Sequence, residues 1–355
     1  MLVYFLLVVI TVFSYFLMIQ LNINKSQRDK ITITIFFLGY LLLLCLRDID
    51  VGIDTKQYYK YFTSIQNLSF SHALLYSDFE IGFAFLSKII SFFGDFRLYL
   101  IIISLIVIMP VLYLYKNEAK GAMFCVSFFL ISLLFEMFFS GMRQSIAIAV
   151  AVPAYYCAKN KNILRFILII CVAMLFHKSS VILFVLYPLM NLKFTKKWLW
   201  IIIPSLIIIY FNRDILFQFV LSIAGPEYSY KYSYLTGTSG QVGLLLLFIL
   251  LLIYSFVILD EKKATPIEIG LRNILLLSVC IQMFAPLNPT ISRINYYFIL
   301  FIPVAITRIN NCCKIQWKQI MYIAIVIMPI FFTFYFFCMK TDSLEVFKYS
   351  FMFFS

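Results

Sequence analysis

Charged residues are scarce in this sequence. Asp, Glu, Lys and Arg make up 13% of its 355 residues, whereas hydrophobic residues make up 63%. The mean hydropathy is +0.97. Soluble domains carry about 25% charged residues. The composition therefore excludes a soluble enzyme and predicts an all-α polytopic integral membrane protein.

Several motifs of enzyme chemistry are also missing. The sequence contains no G-x-x-x-x-G-K-[ST], H-E-x-x-H or G-x-S-x-G motif and no dinucleotide-binding fingerprint. Its eight cysteines show no C-x-x-C spacing, so neither a zinc site nor a disulfide framework is indicated. We expect no metal and no cofactor. Residues 1–20 lack a basic leading region and a small-residue cleavage site, so we expect a retained membrane helix and not a signal peptide.

Apolar runs bounded by charge, glycine or proline predict about twelve transmembrane helices, with eleven to fourteen as the range. The runs cover residues 2–21, 31–46, 98–115, 121–140, 143–158, 161–176, 178–192, 198–211, 241–259, 267–285, 291–309 and 319–338. The segment 81–94 is short and contains Lys88, so it could span the membrane, be re-entrant or lie in the interface.

The distribution of basic residues decides among these topologies. If residues 81–94 do not cross, the connections on one side hold 17 of the 29 Lys and Arg residues. The positive-inside rule makes that side cytoplasmic, so we interpret 81–94 as interfacial. Both termini and two larger loops, 47–97 and 212–240, are then external, within a single transmembrane domain 1–355. The net charge of +13 reports this topology, and we expect contact with membrane lipid but not with nucleic acid.

Several of the external connections hold an isolated ionisable residue. These residues are Arg143, His177, Arg213 and Arg293. A solitary charge beside an apolar span is costly unless it snorkels to the interface or lines a wet cavity. Anchoring is the alternative for any one of them, and the occurrence of four on one side favours function. Glu136 lies seven residues before Arg143 and is a further intramembrane candidate.

Local context adds detail at two of these positions. Arg293 follows two prolines and a Thr/Ser capping region, which places it in the first turn of a predicted helix, where an anion is favoured. Tyr296 and Tyr297 lie on the same face, as substrate contacts or as an interfacial aromatic belt. His177 is one of two histidines, and a general base, a phosphate ligand or a structural histidine all fit it.

The loop 212–240 contains tyrosine at every other position in EYSYKYSYLTGTSG. The residues are Tyr228, Tyr230, Tyr232 and Tyr234. Aromatic faces pack well on sugar rings, but aromatic residues are also common at the membrane interface. Both interpretations remain open for this loop.

Five stretches, taken in order, resemble one known family. They read RDIDVGIDTKQYYKYF, FEIGFAFLSKII, SGMRQSIAIAVAVPAYY, MLFHKSSVILFVLYPL and ISRINYYFILFIPVAI, between about residues 47 and 305. Together they resemble the EpsG-type family of bacterial polysaccharide polymerases, which is related in role to the Wzy O-antigen polymerases. The resemblance places Tyr58, Glu80 and Gln144 among the substrate-binding residues.

The resemblance implies a glycosyltransferase at the external face of the bacterial cytoplasmic (inner) membrane. Such an enzyme transfers a growing glycan from undecaprenyl diphosphate to the non-reducing end of another lipid-linked oligosaccharide repeat unit. The resemblance also implies a chain-length regulator and an upstream flippase as partners.

The chemistry of such a transfer fits the isolated cations. A sugar diphosphate has a good leaving group, whose departure needs charge stabilisation, and arginine supplies a permanent bidentate charge. Our hypothesis is that Arg143 and Arg293 bind the donor diphosphate, with Arg47 or Arg213 assisting.

Attack by a neutral sugar hydroxyl is helped by a positioned base, and His177 and Asp54 are the candidates. The stretch RDIDVGIDTKQYY, residues 47–59, would then be an external loop over the reaction cavity. In this hypothesis Gly52 permits a tight turn and Asp54 points inward. A solvated loop whose charges have no role is the alternative.

Three other functions compete. A flippase or exporter of lipid-linked sugar needs charge along the whole crossing path and commonly has internal repeats, which are not evident here. A membrane O-acyltransferase also uses a histidine in an apolar setting but would not need several external arginines. An O-antigen ligase shares nearly all the chemistry and differs in its acceptor.

Overall fold

The protein is almost entirely helical in the computed structural model, which describes residues 1–75, 77–224 and 239–352. Its helices are α1 (Leu2–Gln20), α2 (Lys25–Leu46), α3 (Thr55–Gln66), α4 (Phe70–Leu75), α5 (Ile81–Ser91), α6 (Phe96–Glu118), α7 (Ala122–Ile131), α8 (Leu133–Ser140), α9 (Met142–Lys159), α10 (Ile163–Phe176), α11 (Leu186–Asn191), α12 (Leu199–Phe211), α13 (Arg213–Ala224), α14 (Ser239–Ile258), α15 (Pro266–Gln282), α16 (Pro289–Ile299), α17 (Ile302–Asn311) and α18 (Lys318–Cys338). The chain divides into two compact units, unit 1 (Met1–Phe184 with Tyr322–Ser355) and unit 2 (Val185–Met321).

Among the described residues, five helices are long and apolar enough to cross a membrane, or up to seven if each of two bent pairs forms one span. The protein is therefore a multi-pass membrane protein, but the expected count of about twelve spans is not confirmed. Several predicted spans are shorter than expected: α10 has 14 residues and α15 has 17. The run 291–309 is divided between α16 and α17.

Unit 1 is built on α2, α6 and α9. Helix α2 packs against α1 and α6, and α9 packs against α6 and α10. Aromatic side chains fill the space between α2 and the α7–α8 region: the Tyr40 ring packs on Phe129, Phe135 and Phe139 at centroid distances of 5.1–5.4 Å. Such aromatic contacts add to the free energy gained from burying the rings.

The helical path from α7 to α8 bends by 63° at Ser132. The bend frees backbone carbonyl groups in an apolar region, and they need donors there. Lys340 supplies them: its ammonium donates to the carbonyl oxygens of Leu130 (3.0 Å) and Ser132 (3.1 Å). It also pairs with Glu136 at 2.8 Å, and both side chains are almost completely buried.

Helix α5 has 11 residues, about 16 Å of helix, which is short of the ~30 Å of a hydrocarbon core. Its length agrees with the interpretation of 81–94 as a segment that does not cross. The buried Lys88 ammonium donates to the carbonyl oxygens of Ile65 (2.9 Å) and Gln66 (3.1 Å). A cation at these last carbonyl groups stabilises the C-terminus of α3.

The stretch that follows α2 is covered by the C-terminal segment, residues 340–352. Backbone amides of Gly52 and Ile53 donate to the carbonyl oxygens of Glu345 (3.1 Å) and Leu344 (3.0 Å). Arg47 forms a backbone bridge with Phe351. The loop 47–54 is therefore held by main-chain hydrogen bonds.

In unit 2, α15 is the central helix, and α11, α14, α16 and α17 pack around it. Gly270 allows α11 to approach closely, since a Cβ added there would lie 2.9 Å from the Cα of Met190. Thr265 and Glu268 form a capping box at the start of α15, with proline at its first position. Glu268 also pairs with Arg308 at 2.8 Å.

Four buried polar side chains link α14, α15 and α16. Gln282 Nε2 donates to Gln241 Oε1 (2.9 Å), and Asn295 Nδ2 donates to Gln282 Oε1 (3.0 Å). Ser278 donates its hydroxyl to Asn295 Oδ1 (2.8 Å). A satisfied network of this kind fixes the orientation of the helices that carry it.

Candidate functional site

Glu80 joins two of the predicted site residues in unit 1. Its Oε2 lies 2.6 Å from Nη1 of Arg143, and its Oε1 lies 3.2 Å from Nδ1 of His177. The Glu80 side chain is 10% exposed, whereas Arg143 and His177 are 27% and 25% exposed. A nearly buried carboxylate thus holds two partly open groups, one cationic and one able to accept a proton.

Gly82 and Leu175 explain why Glu80 reaches His177. Glu80 lies at the N-cap of α5, and His177 lies at the C-cap of α10. A Cβ added at Gly82 would lie 2.7 Å from Leu175 Cβ and 2.8 Å from its carbonyl oxygen. The absence of a side chain therefore lets the start of α5 touch the end of α10, two residues from each polar group.

A second close approach positions the loop 51–55. Gly52 has φ = +92°, and a Cβ there would lie 2.7 Å from the carbonyl oxygen of Phe139. Thr55 donates its hydroxyl to the same carbonyl (3.2 Å), and the Asp54 amide donates to Ser140 Oγ (3.2 Å). The tight turn predicted at Gly52 is observed, and it attaches Asp54 to the residues that precede α9.

Arg143 is in the first turn of α9, directly after the break at Gly141. Its guanidinium lies over the Phe79 ring at 4.5 Å from the centroid, and the Tyr58 hydroxyl is within hydrogen-bonding reach of it. A partly desolvated cation on an aromatic face gains about 0.5–2 kcal/mol. Asp54 in turn interacts electrostatically with Tyr58.

The environment of Glu80 favours its charged form. Burial opposes ionisation, but the contacts with His177 and Arg143 outweigh it and lower the pKa of Glu80 to about 2. An ionised carboxylate beside Nδ1 favours the tautomer with the proton on Nδ1. Nε2 of His177 is then the nitrogen that can accept a proton from a substrate.

The remaining predicted residues of unit 1 lie deeper in the protein. Arg47 is 1% exposed, donates to the Leu44 carbonyl (2.9 Å) and lies 5.6 Å from the Phe139 ring centroid. Gln144 is 3% exposed within α9. Both are therefore buried, whereas Arg143 and His177 are partly exposed.

Arg293, Tyr297 and Arg213 belong to unit 2. Arg293 is exposed on α16, Tyr297 is fully buried, and the Arg213 guanidinium lies 4.5 Å from the Tyr210 ring centroid. The alternating tyrosines 228–234 lie outside the described residues. Convergence of the four arginines in one cavity therefore stays a prediction.

Sequence reasoning did not foresee two features of the site. Phe79 was not singled out, although it precedes Glu80 and carries the cation–π contact. The role of Glu80 as the common partner of Arg143 and His177 was also missed. Among the described residues, no group of three or more His, Cys, Asp or Glu side chains could hold a metal ion.

Comparison with known proteins gives one match. A family model described as the EpsG family matches residues 30–351. No curated protein and no solved structure matches the chain. The resemblance noted in the sequence between about residues 47 and 305 is thereby confirmed and extended in both directions.

Proposed function

Because the chain belongs to the EpsG family, we propose that it is a membrane glycosyltransferase that polymerises a polysaccharide. The donor is a glycan carried on undecaprenyl diphosphate, and the acceptor is a second lipid-linked repeat unit. The reaction takes place at the external face of the cytoplasmic membrane. A flippase delivers the repeat units, and a chain-length regulator acts on the product.

The proposed reaction exchanges one bond at the anomeric carbon for another and moves one proton. A hydroxyl oxygen at the non-reducing end of the acceptor attacks the anomeric carbon of the donor, and the bond from that carbon to the diphosphate oxygen breaks. His177 Nε2 accepts the hydroxyl proton, and the neighbouring Glu80 carboxylate stabilises the imidazolium that results. The proton later passes to solvent or to the released diphosphate, which restores the neutral histidine.

Arg143 stabilises the charge that develops on the leaving diphosphate. Its guanidinium is oriented by Glu80 and Phe79 before the substrate binds. A preorganised cation costs little reorganisation during the reaction, which is why such groups contribute strongly to catalysis. Asp54 is the alternative base in this proposal.

One observation supports this assignment most strongly: Glu80 holds both His177 and Arg143 in a chain of this family. The test is complementation of a strain that lacks the gene with single variants, followed by gel analysis of its surface glycan. We expect His177→Ala and Arg143→Ala to replace the polymer ladder by single repeat units. Immunoblotting of membranes checks that each variant is present at the normal level.

His72→Ala is the matched control, because it removes the other histidine from the exposed part of α4. We expect it to retain the ladder. A normal ladder in both His177→Ala and Arg143→Ala would refute the proposal. An intact ladder that has lost acetyl groups would indicate an acyltransferase, and repeat units that remain inside the cell would indicate a transporter.

A further inference from the structure

Three connections of unit 2 meet at the start of α15. Residues 192–198, 259–263 and 312–317 are joined there by hydrogen bonds that their backbone amides donate to backbone and side-chain oxygens. The Lys196 amide donates to Glu261 Oε1 (2.9 Å), the Asp260 amide to the carbonyl of Cys312 (2.9 Å), and the Lys314 amide to the carbonyl of Ile258 (3.2 Å). Beneath them lies a small apolar cluster of Ile258, Leu259, Ile269 and Ile309.

Arg272 is the most deeply buried cation of this region. Its side chain is 0% exposed, its Nη2 lies 3.1 Å from Glu261 Oε1, and the same nitrogen donates to the carbonyl of Phe194. Its guanidinium lies 4.1 Å from the centroid of the Phe256 ring. Within the described residues, its Nε and Nη1 have no hydrogen-bond partner. Buried guanidinium nitrogens normally have acceptors, so this side chain has donor capacity that the described part of unit 2 does not use.

Two lysines from different connections, Lys196 and Lys314, lie close to each other and to Arg272. The side chains of Lys196 and Lys314 are half-buried and close enough to interact directly. Burial, and then repulsion from Lys314, lower the pKa of Lys196. Glu261 is already paired with Arg272. Like charges held this close are unfavourable unless an anion lies against both.

All three tryptophans of the chain flank these lysines. Trp198 and Trp200 are exposed, at 43% and 88%, and Trp317 packs on the apolar cluster. Tryptophan concentrates at the boundary between lipid tails and headgroups, because its ring is apolar and its N–H is polar. The tryptophans therefore predict that these lysines lie near the depth of lipid phosphates.

We propose that Lys196, Lys314 and Arg272 form a site for the phosphate of an anionic phospholipid headgroup. This basic site is on the side of the membrane that the charge distribution makes cytoplasmic, where anionic lipids attract basic residues. The two lysines contact the phosphate. Arg272 holds the connection 192–198 in place through its bond to Phe194 and adds a permanent charge. Topology alone accounts for lysines in these connections but not for the closeness of Lys196 to both Lys314 and a buried arginine.

The test compares two double variants that remove the same charge. Lys196→Gln/Lys314→Gln removes the two lysines of the proposed site. Lys262→Gln/Lys263→Gln removes two exposed lysines from residues 259–263, the connection that contributes no lysine to the site. Each full-length protein is purified in detergent and titrated with phosphatidylglycerol, phosphatidylcholine or inorganic phosphate. Thermal unfolding gives the stabilisation, and mass spectrometry counts the lipid that remains bound.

We expect phosphatidylglycerol to raise the unfolding temperature of the wild type and phosphatidylcholine to leave it unchanged. The Lys196→Gln/Lys314→Gln protein should bind phosphatidylglycerol roughly 30-fold more weakly. The Lys262→Gln/Lys263→Gln protein should bind it nearly as well as the wild type. Equal loss in both double variants would overturn the proposal, as would full stabilisation by inorganic phosphate without any effect of the lipid.

Discussion

Gly82→Ala is a demanding test of the site because it leaves every polar group in place. The added Cβ would lie 2.7 Å from Leu175 Cβ and 2.8 Å from the Leu175 carbonyl oxygen. Ordinary contact begins at 3.4 Å, so the start of α5 must move by 3.4 − 2.7, or roughly 0.7 Å. Backbone atoms of α10 lie in the way, so rotation of a side chain cannot relieve the contact.

This movement separates Glu80 from His177, whose Nδ1 is already 3.2 Å from the carboxylate. A misplacement of about 1 Å at a catalytic group can reduce a rate by about 10²-fold. We therefore expect polymerisation to fall by roughly 10- to 100-fold. The assay is the initial rate of polymer formation in membrane vesicles supplied with lipid-linked repeat units, normalised to the amount of protein.

Gly243→Ala is the control, because a Cβ at Gly243 has no neighbour within 4 Å. Within a helix this change should stabilise the protein by up to about 1 kcal/mol and leave the rate unchanged. If Gly82→Ala polymerises at the wild-type rate, Glu80 does not position His177 for the reaction. If both variants lose activity equally, the loss does not come from the contact between α5 and α10.

Three further changes test other parts of the structure. Lys340→Met leaves Glu136 buried without its cation and should cost about 3–5 kcal/mol, and equal unfolding temperatures for wild type and Lys340→Met would contradict this. Glu136→Leu in the same chain should restore only part of this stability, because the carbonyl groups of Leu130 and Ser132 still lack the Lys340 donor. The pKa of the Glu80 carboxyl is lowered from 4.5 to about 2. Its ionisation therefore stabilises the fold fully above pH 4.5, and this contribution is lost as the pH falls towards 2. The free energy of unfolding, followed by circular dichroism, should fall less over that range in Glu80→Gln than in the wild type. The same pH dependence in both proteins would count against the ion pairs. Gly52→Ala forces alanine to φ = +92° and should destabilise the protein by at least about 1 kcal/mol, which an unchanged unfolding temperature would rule out.

The sequence predicts best those helices that are each marked by one continuous apolar run. The apolar runs 2–21, 31–46, 98–115, 241–259 and 319–338 all correspond to long helices of the structure. The break at Ser132 could not be foreseen in the same way. Its free carbonyl groups bind Lys340, which lies more than 200 residues further along the chain.

The candidate site also has residues that a local sequence pattern predicts and contacts that depend on residues distant in sequence. His177 and Arg143 are recognisable because each is an isolated ionisable group in an apolar sequence, and Gly52 because a tight turn needs it. The pairing of Glu80 with both depends on contacts between helices distant in sequence, which no local pattern encodes. The burial of Arg47 likewise depends on the distant C-terminal segment.

The interruption of the helical path at Gly141 has a consequence for charge pairing. Seven residues separate Glu136 from Arg143, two turns of an uninterrupted helix, where the acid and the base would face the same way and could neutralise each other. Because the helical path breaks between them, each side chain pairs with a residue that is distant in sequence. Glu136 pairs with Lys340, and Arg143 pairs with Glu80. Glu136 therefore stabilises the packing of unit 1, and the Arg143 guanidinium stays partly exposed at the start of α9, where solvent reaches it.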